Sequence, residues 1–232
     1  MHWFYNPDLD PHRPLLGVDE THHAIHVLRL RAGNQLLITN GKGLICTAEV
    51  VDLGKKSVEL RGLTYENRPE PSPRFQLIIG PTKNIDRMEW LLEKATEVGV
   101  NSFLFCQTER TERAKINLDR LEKVIIAATK QSHRVWKPIL TYHASFSEAI
   151  ESITGPIYIA HCEEQPKRPL PSAYLHGTDA TLCIGPEGDF TSAEILLATS
   201  RGAIPVSLGE ARLRTETAAL FALSTLHVVN SL

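Results

Sequence analysis

Cys183-Ile-Gly-Pro-Glu-Gly-Asp-Phe190 and, a short way on, Ser207-Leu-Gly-Glu-Ala-Arg-Leu-Arg-Thr-Glu-Thr-Ala218 decide how this chain folds. Each follows a short apolar run of strand character and leads into a segment of helical pattern, so both turns fall at strand carboxyl ends. Open α/β sheets bind their ligands there. In Gly185-Pro-Glu-Gly188 the glycines admit backbone dihedrals closed to other residues and let a ligand approach the main chain, while Pro186 stiffens the turn. Thr191-Ser-Ala-Glu194 has capping-box spacing, and Phe190 with Ile195 has hydrophobic-staple spacing, which marks a helix start. Alone, this pattern also fits an ordinary strand-to-helix loop. The second turn adds Arg212-Leu-Arg-Thr-Glu216 at the entry to the last helix, where Thr215 reads as the N-cap and Glu216 as a first-turn acid. Arg214 stands against the helix dipole there and points to an anion or substrate nearby.

Upstream, Asn67-Arg-Pro-Glu-Pro-Ser-Pro-Arg74 reads as a stiff extended linker, taken as residues 69–74. Before it, Asn34–Thr39 and Leu44–Val51 flank Asn40-Gly41, a strong hairpin signal, and Ser57–Leu60 follows Gly54; residues 1–68 therefore predict a small β-barrel. After it, strands alternate with helices. Phe75–Ile79 leads to a helix capped by Asn84 and closed by Gly99. Ser102–Cys106 leads to a second helix capped by Asn117 and stopped by Pro138 near Trp136. The runs Pro156–Ala160, Thr181–Ile184 and Ala203–Ser207 complete a mainly parallel sheet covered on both faces, so residues 75–232 predict an α/β domain.

A chain of 232 residues with 42% hydrophobic content can bury one large core or two. Its apolar runs fall well short of a membrane span and its N-terminus has no basic-then-apolar leader, so a cytoplasmic protein without membrane attachment is expected. Cys46, Cys106, Cys162 and Cys183 form no CxxC pair and read as free thiols. His22, His23 and His26 lack metal-ligand spacing, and no metal is expected. The net charge of −2 conceals a basic stretch between Gln107 and Lys137 that includes Arg110, Arg113, Lys115, Arg120, Lys123, Lys130, Arg134 and Lys137. Neither GxGxxG in the first βα unit, GxxxxGK[ST] nor GxSxG occurs, which argues against dinucleotide, nucleoside-triphosphate and hydrolase-elbow sites.

Gly185-Pro-Glu-Gly188 followed by Leu208-Gly209 and Leu213-Arg-Thr-Glu-Thr-Ala218 resembles the paired signature of the RsmE-type ribosomal RNA uridine-N3 methyltransferases of the SPOUT superfamily. Lys83, Arg87, Glu89, Lys94 and Ala95–Val100 resemble that family's first catalytic-domain helix, and His26-Val-Leu-Arg29 with Asn40-Gly-Lys-Gly43 resembles its N-terminal PUA-like barrel. Lys130-Gln-Ser132 stands where the family often has Glu-Gln-Ser, and Asp189 where a third glycine is common.

The resemblance implies an α/β fold: a PUA-like β-barrel ahead of a SPOUT domain with a mainly parallel sheet and a deep trefoil knot. It also implies S-adenosyl-L-methionine as cofactor, held by His161, Gly185, Pro186, Glu187, Gly188, Ser207, Leu208, Gly209 and Leu213. Arg214 would stabilise charge on the acceptor base, with Glu216 orienting it or its loop. Arg29, Arg110, Arg113 and Arg134 would contact RNA phosphates and Trp136 would stack a base. The implied partners are 16S ribosomal RNA, within a 30S subunit or late precursor, and a second copy in a homodimer that the C-terminal helix helps to seam. A non-catalytic RNA-binding assembly factor, or a SPOUT enzyme acting on another base, are the alternatives; both glycine turns favour catalysis, and the barrel with Leu213–Ala218 favours ribosomal RNA.

Overall fold

The computed structural model describes residues 1–112 and 116–232. These form two compact units, Met1–Pro71 with Ile126–Lys137, and Ser72–Ile125 with Pro138–Leu232.

In the first unit β1 (His2–Tyr5), β2 (Gln35–Thr39), β3 (Leu44–Leu53) and β4 (Val58–Asn67) form one sheet in that order. β1 runs parallel to β2, and the other pairings are antiparallel. Alternation sends Leu36 and Ile38 of β2 and Cys46, Ala48 and Val50 of β3 into a core with Phe4, Ala24 and Val58. A short helix α1 (Val18–His22) continues as a π-helical segment His23–Val27. The Asn40-Gly41 hairpin forms as expected, but β4 runs well beyond Leu60, and β1, which carries no turn signal, joins the sheet through parallel pairing.

The second unit carries β5 (Phe75–Ile79), α2 (Ile85–Val98), β6 (Ser102–Cys106), α3 (Leu118–Gln131) as far as Ile125, β7 (Ile139–His143), α4 (Phe146–Glu151), β8 (Ile157–Ala160), β9 (Arg168–Pro169), α5 (Leu170–Ala173), β10 (Ala180–Ile184), α6 (Ser192–Ser200), β11 (Ile204–Ser207) and α7 (Thr215–Ser231). Its sheet order is β7-β6-β5-β10-β8-β11-β9, with every pairing parallel. Strand side chains alternate between two cores. Phe75, Leu77 and Ile79 with Leu182 and Ile184 pack against α2 and α7, whereas Ile78, Ile159 and Cys183 pack against α4 and α6. Burial on both faces explains why these strands read as unbroken apolar runs.

Asn84 caps α2 by accepting the Asp86 N–H, Gly99 ends it at φ 120°, and Asn117 accepts the Arg120 N–H at the start of α3. One boundary departs from expectation. α3 ends at Gln131 and not near Trp136, because His133 turns to the left-handed φ of 58° before the proline is reached and the Arg134 N–H closes the helix end by bonding the Thr129 carbonyl at 3.0 Å. The 126–137 segment then lies with the first unit, where Trp136 pairs with Lys42 and donates its indole N–H to the Arg68 carbonyl.

Candidate active site

Ile184 of β10 lies in register with Ala160 of β8, which in turn lies beside Val206 of β11, so three neighbouring strands end in one row. The chain reverses its order here: it steps from β5 outward to β7, crosses to β8, returns to place β10 between β5 and β8, and sets β11 outside β8. Loops leaving a sheet at such a switch diverge and leave a crevice. That crevice is a cavity of about 520 Å³, within the roughly 300–1,000 Å³ of small-molecule sites. Its apolar wall includes Ala160, Ile184, Val206, Leu208, Leu213 and Ala218.

Of the residues expected to hold a cofactor, His161, Gly185, Pro186, Glu187, Ser207, Leu208, Gly209 and Leu213 all line this cavity, and Gly188 does not. The glycines of the first turn serve close approach and not unusual dihedrals, for neither Gly185 nor Gly188 has a left-handed φ. A Cβ on Gly188 would lie 2.9 Å from Arg110 Cβ. The left-handed residue is Asp189, at φ 63°. Its carboxylate steadies that conformation by accepting the N–H groups of Phe190 at 2.8 Å and Cys162 at 2.7 Å, which also ties the β8 loop to the β10 loop. Beyond the turn, Thr191 and Glu194 form the expected capping box.

Arg214 lines the cavity and is exposed. It is the N-cap of α7, and Thr215, expected in that role, is the first helical residue. The Thr215 hydroxyl is occupied elsewhere: it donates to the buried Gly185 carbonyl at 3.0 Å and joins the last helix to the glycine turn. Glu216 is buried and lies outside the cavity lining. It does not orient Arg214 through an ion pair; its Oε1 lies 3.9 Å from Arg87 Nε, and its Oε2 has no hydrogen-bond partner.

His161 is only 8% exposed, and neither ring nitrogen has a hydrogen-bond partner. Burial first, then the nearby Lys167 ammonium, lower its pKa from the usual imidazole value, while Asp189 and Glu163 oppose them. Lys167 donates to the carbonyls of His161 at 2.8 Å and Glu163 at 2.9 Å, so a cation closes this loop over the cavity. Lys167 went unnoticed because it sits among polar residues with no local motif, and Arg87, although part of the first-helix motif, gave no sign of the acids it meets; only the fold brings each to the turns.

The cations expected to meet RNA have varied settings. Arg29 is exposed at φ 51°. Arg110 donates from Nη1 to the carbonyls of Gly188 at 3.0 Å and Phe190 at 3.3 Å, so it also secures the glycine turn. Arg113 lies outside the described residues. Arg134 is half-buried, which lowers its pKa from the usual guanidinium value. The Trp136 ring presses on Gly43, whose Cβ would meet it at 2.8 Å, so this indole is engaged by the barrel hairpin. Lys130, the residue that departs from the family's acid, pairs at 2.6 Å with Glu20, itself largely buried.

Fold and site together define an RNA methyltransferase: residues 68–227 match a family model described as an RNA methyltransferase domain, and residues 15–61 match an RNA methyltransferase PUA domain. A ribosomal RNA small subunit methyltransferase E of Synechocystis sp. is 30% identical over 221 residues, covering 92% of this chain and 72% of that one. Among solved structures, a probable rRNA-methyltransferase from Porphyromonas gingivalis superposes with a TM-score of 0.92 at 37% identity, covering 100% of this chain and 99% of that one. A ribosomal RNA small subunit methyltransferase E from Neisseria gonorrhoeae, bound to S-adenosyl methionine, gives 0.85 at 28% identity with 98% and 97% covered. The chain belongs to the ribosomal RNA small subunit methyltransferase E family.

Proposed function

We propose that this chain methylates N3 of a specific uridine in 16S ribosomal RNA with S-adenosyl-L-methionine as donor. The observation that carries the reading is the cavity at the β8, β10 and β11 carboxyl ends, lined both by His161, whose buried ring nitrogens have no partner, and by Arg214. The residues present suit the donor: apolar walls at Ala160, Ile184, Val206 and Leu213 for a planar base, main-chain groups of both turns, and a neutral imidazole at His161 for polar contact. When bound, the donor supplies a methyl group made electrophilic by its sulfonium.

The chain's own residues then serve the acceptor. Removing the uracil N3 proton leaves negative charge on N3 and the flanking carbonyl oxygens. A guanidinium that stays charged at every working pH can offset it. Arg214 has that chemistry, and its place at the N-terminus of α7 gains nothing from the helix dipole, so its purpose is sought in a ligand. Arg29, Arg110, Arg113 and Arg134 are assigned to phosphates, Arg110 through the N–H groups it does not give to the turn, and Trp136 to base contact at its exposed edge.

We further read the C-terminal segment as a trefoil knot, supported by the return of α7 to β5 and β10 after β11 has been laid outside β8. The outer face of α7, where Phe221 and Val228 are exposed, is read as part of a homodimer seam, and the working compartment as the cytoplasm. Substitution Arg214→Ala tests the catalytic assignment. Donor affinity by titration calorimetry is expected to hold while methyl transfer falls about 100-fold or more; an unchanged transfer rate removes Arg214 from the chemistry.

A further inference from the structure

We propose that Arg87 is a positioning residue whose guanidinium, set between the carboxylates of Glu187 and Glu216, locks the glycine turn to the first turn of α7. This rests on the donor-binding reading above. Arg87 lies in the first turn of α2, where a cation opposes the dipole, so its placement is unfavourable until acids offset it. Two do: Nη1 is 3.7 Å from Glu187 Oε1 and Nε is 3.9 Å from Glu216 Oε1. Both distances exceed a hydrogen bond, so one cation is shared between two acids on different segments.

The two acids differ in setting. Glu187 lines the cavity and is held from behind by the Lys83 backbone N–H at 3.2 Å. Glu216 is only 8% exposed, its Oε2 has no hydrogen-bond partner, and among the described residues Arg87 is its sole ion-pair partner. Without Arg87 a buried carboxylate would lack a counter-charge, which proteins avoid at the cost of moving the group. Movement here would carry the start of α7, and Arg214 with it, away from the turn. The hydroxyl of Thr215 already ties the same two segments at Gly185, so Arg87 supplies the second point that fixes their orientation.

The test uses the full chain and its Arg87→Gln, Arg87→Lys, Glu216→Gln and Arg87→Gln/Glu216→Gln variants. S-adenosyl-L-methionine affinity is measured by calorimetry, KM and kcat by methyl transfer, and the thermal midpoint in ligand-free protein. Arg87→Gln is expected to weaken donor binding about tenfold, a buried-pair loss reduced by the half-exposure of Glu187. Its donor KM rises in step, Arg87→Lys recovers most of the affinity, and adding Glu216→Gln to Arg87→Gln relieves the loss. In ligand-free protein the midpoint lost in Arg87→Gln likewise returns in the double variant. Unchanged affinity in Arg87→Gln, no recovery with lysine, or losses that simply add in the double variant would overturn the proposal. Should the wild type bind no donor, the functional reading fails on that result, and the ligand-free midpoints still decide whether Arg87 and Glu216 are coupled.

Discussion

Replacing Thr215 by valine removes one hydroxyl and keeps the branched shape. That hydroxyl donates to the Gly185 carbonyl at 3.0 Å with both groups buried, so Thr215→Val leaves a buried acceptor facing a methyl group. Leaving such a group unsatisfied costs about 1–3 kcal/mol. For a chain of this size roughly 2–4 °C of thermal midpoint is lost per kcal/mol, so a mid-range cost corresponds to about 4–8 °C. Donor affinity should fall as well, because the bond joins the cavity's glycine turn to the helix that begins beside Arg214. Scanning calorimetry and donor titration measure the two effects, with Thr215→Ser as the control that keeps the hydroxyl and most of the stability. A Thr215→Val midpoint within about 1 °C of wild type, a shift too small for a lost buried bond on that scale, would show that the Thr215–Gly185 bond does not hold the two segments together.

Gly188→Ala should weaken donor binding more than it lowers stability, since the new Cβ displaces Arg110 from its hold on the Gly188 and Phe190 carbonyls; titration and melting on the same sample separate the two. His161 has its pKa lowered in the fold, so below the unfolded imidazole value of about 6.5 the unfolded chain takes up the proton first. Stability present at neutral pH is therefore lost as pH falls through that value toward the folded one, and in melts across this range His161→Gln should lack that component. Cys183 and Cys106 are buried thiols, the latter with its pKa pushed up to about 12, so in native protein a thiol reagent should label exposed Cys162 first, as read by mass spectrometry. Because Cys162 lines the cavity, S-adenosyl-L-methionine should slow that labelling.

The βα alternation, the caps at Asn84 and Asn117, the Thr191–Glu194 capping box and the Asn40-Gly41 hairpin were legible in the sequence because each is a local signal of known period or spacing. Both glycine turns were legible too, and the cavity forms between them. What the sequence hid is non-local. β1 and β7 pair in parallel with β2 and β6 across intervening helical segments and not through a turn the sequence could mark, and the early end of α3 depends on His133 taking a left-handed conformation that no glycine announces. Thr215 was misplaced as a cap because the sequence does not reveal that its hydroxyl faces Gly185. The glycines were credited with strained dihedrals that fall instead on Asp189, which reaches φ 63° with help from two backbone donors. Glu216 was expected to orient Arg214 or its loop, and the sequence could not reveal that the cation beside it, Arg87, comes from a neighbouring helix.

The proposed reaction delivers a methyl group from this cavity to uridine N3 in small-subunit ribosomal RNA. It is tested most directly by incubating small subunits from a strain lacking the gene with purified protein and methyl-labelled S-adenosyl-L-methionine, then mapping the label by mass spectrometry. Label is expected on N3 of one uridine of the 16S RNA, absent before incubation and absent with Arg214→Ala. No transfer to such subunits, or label on another atom or another RNA, would contradict it.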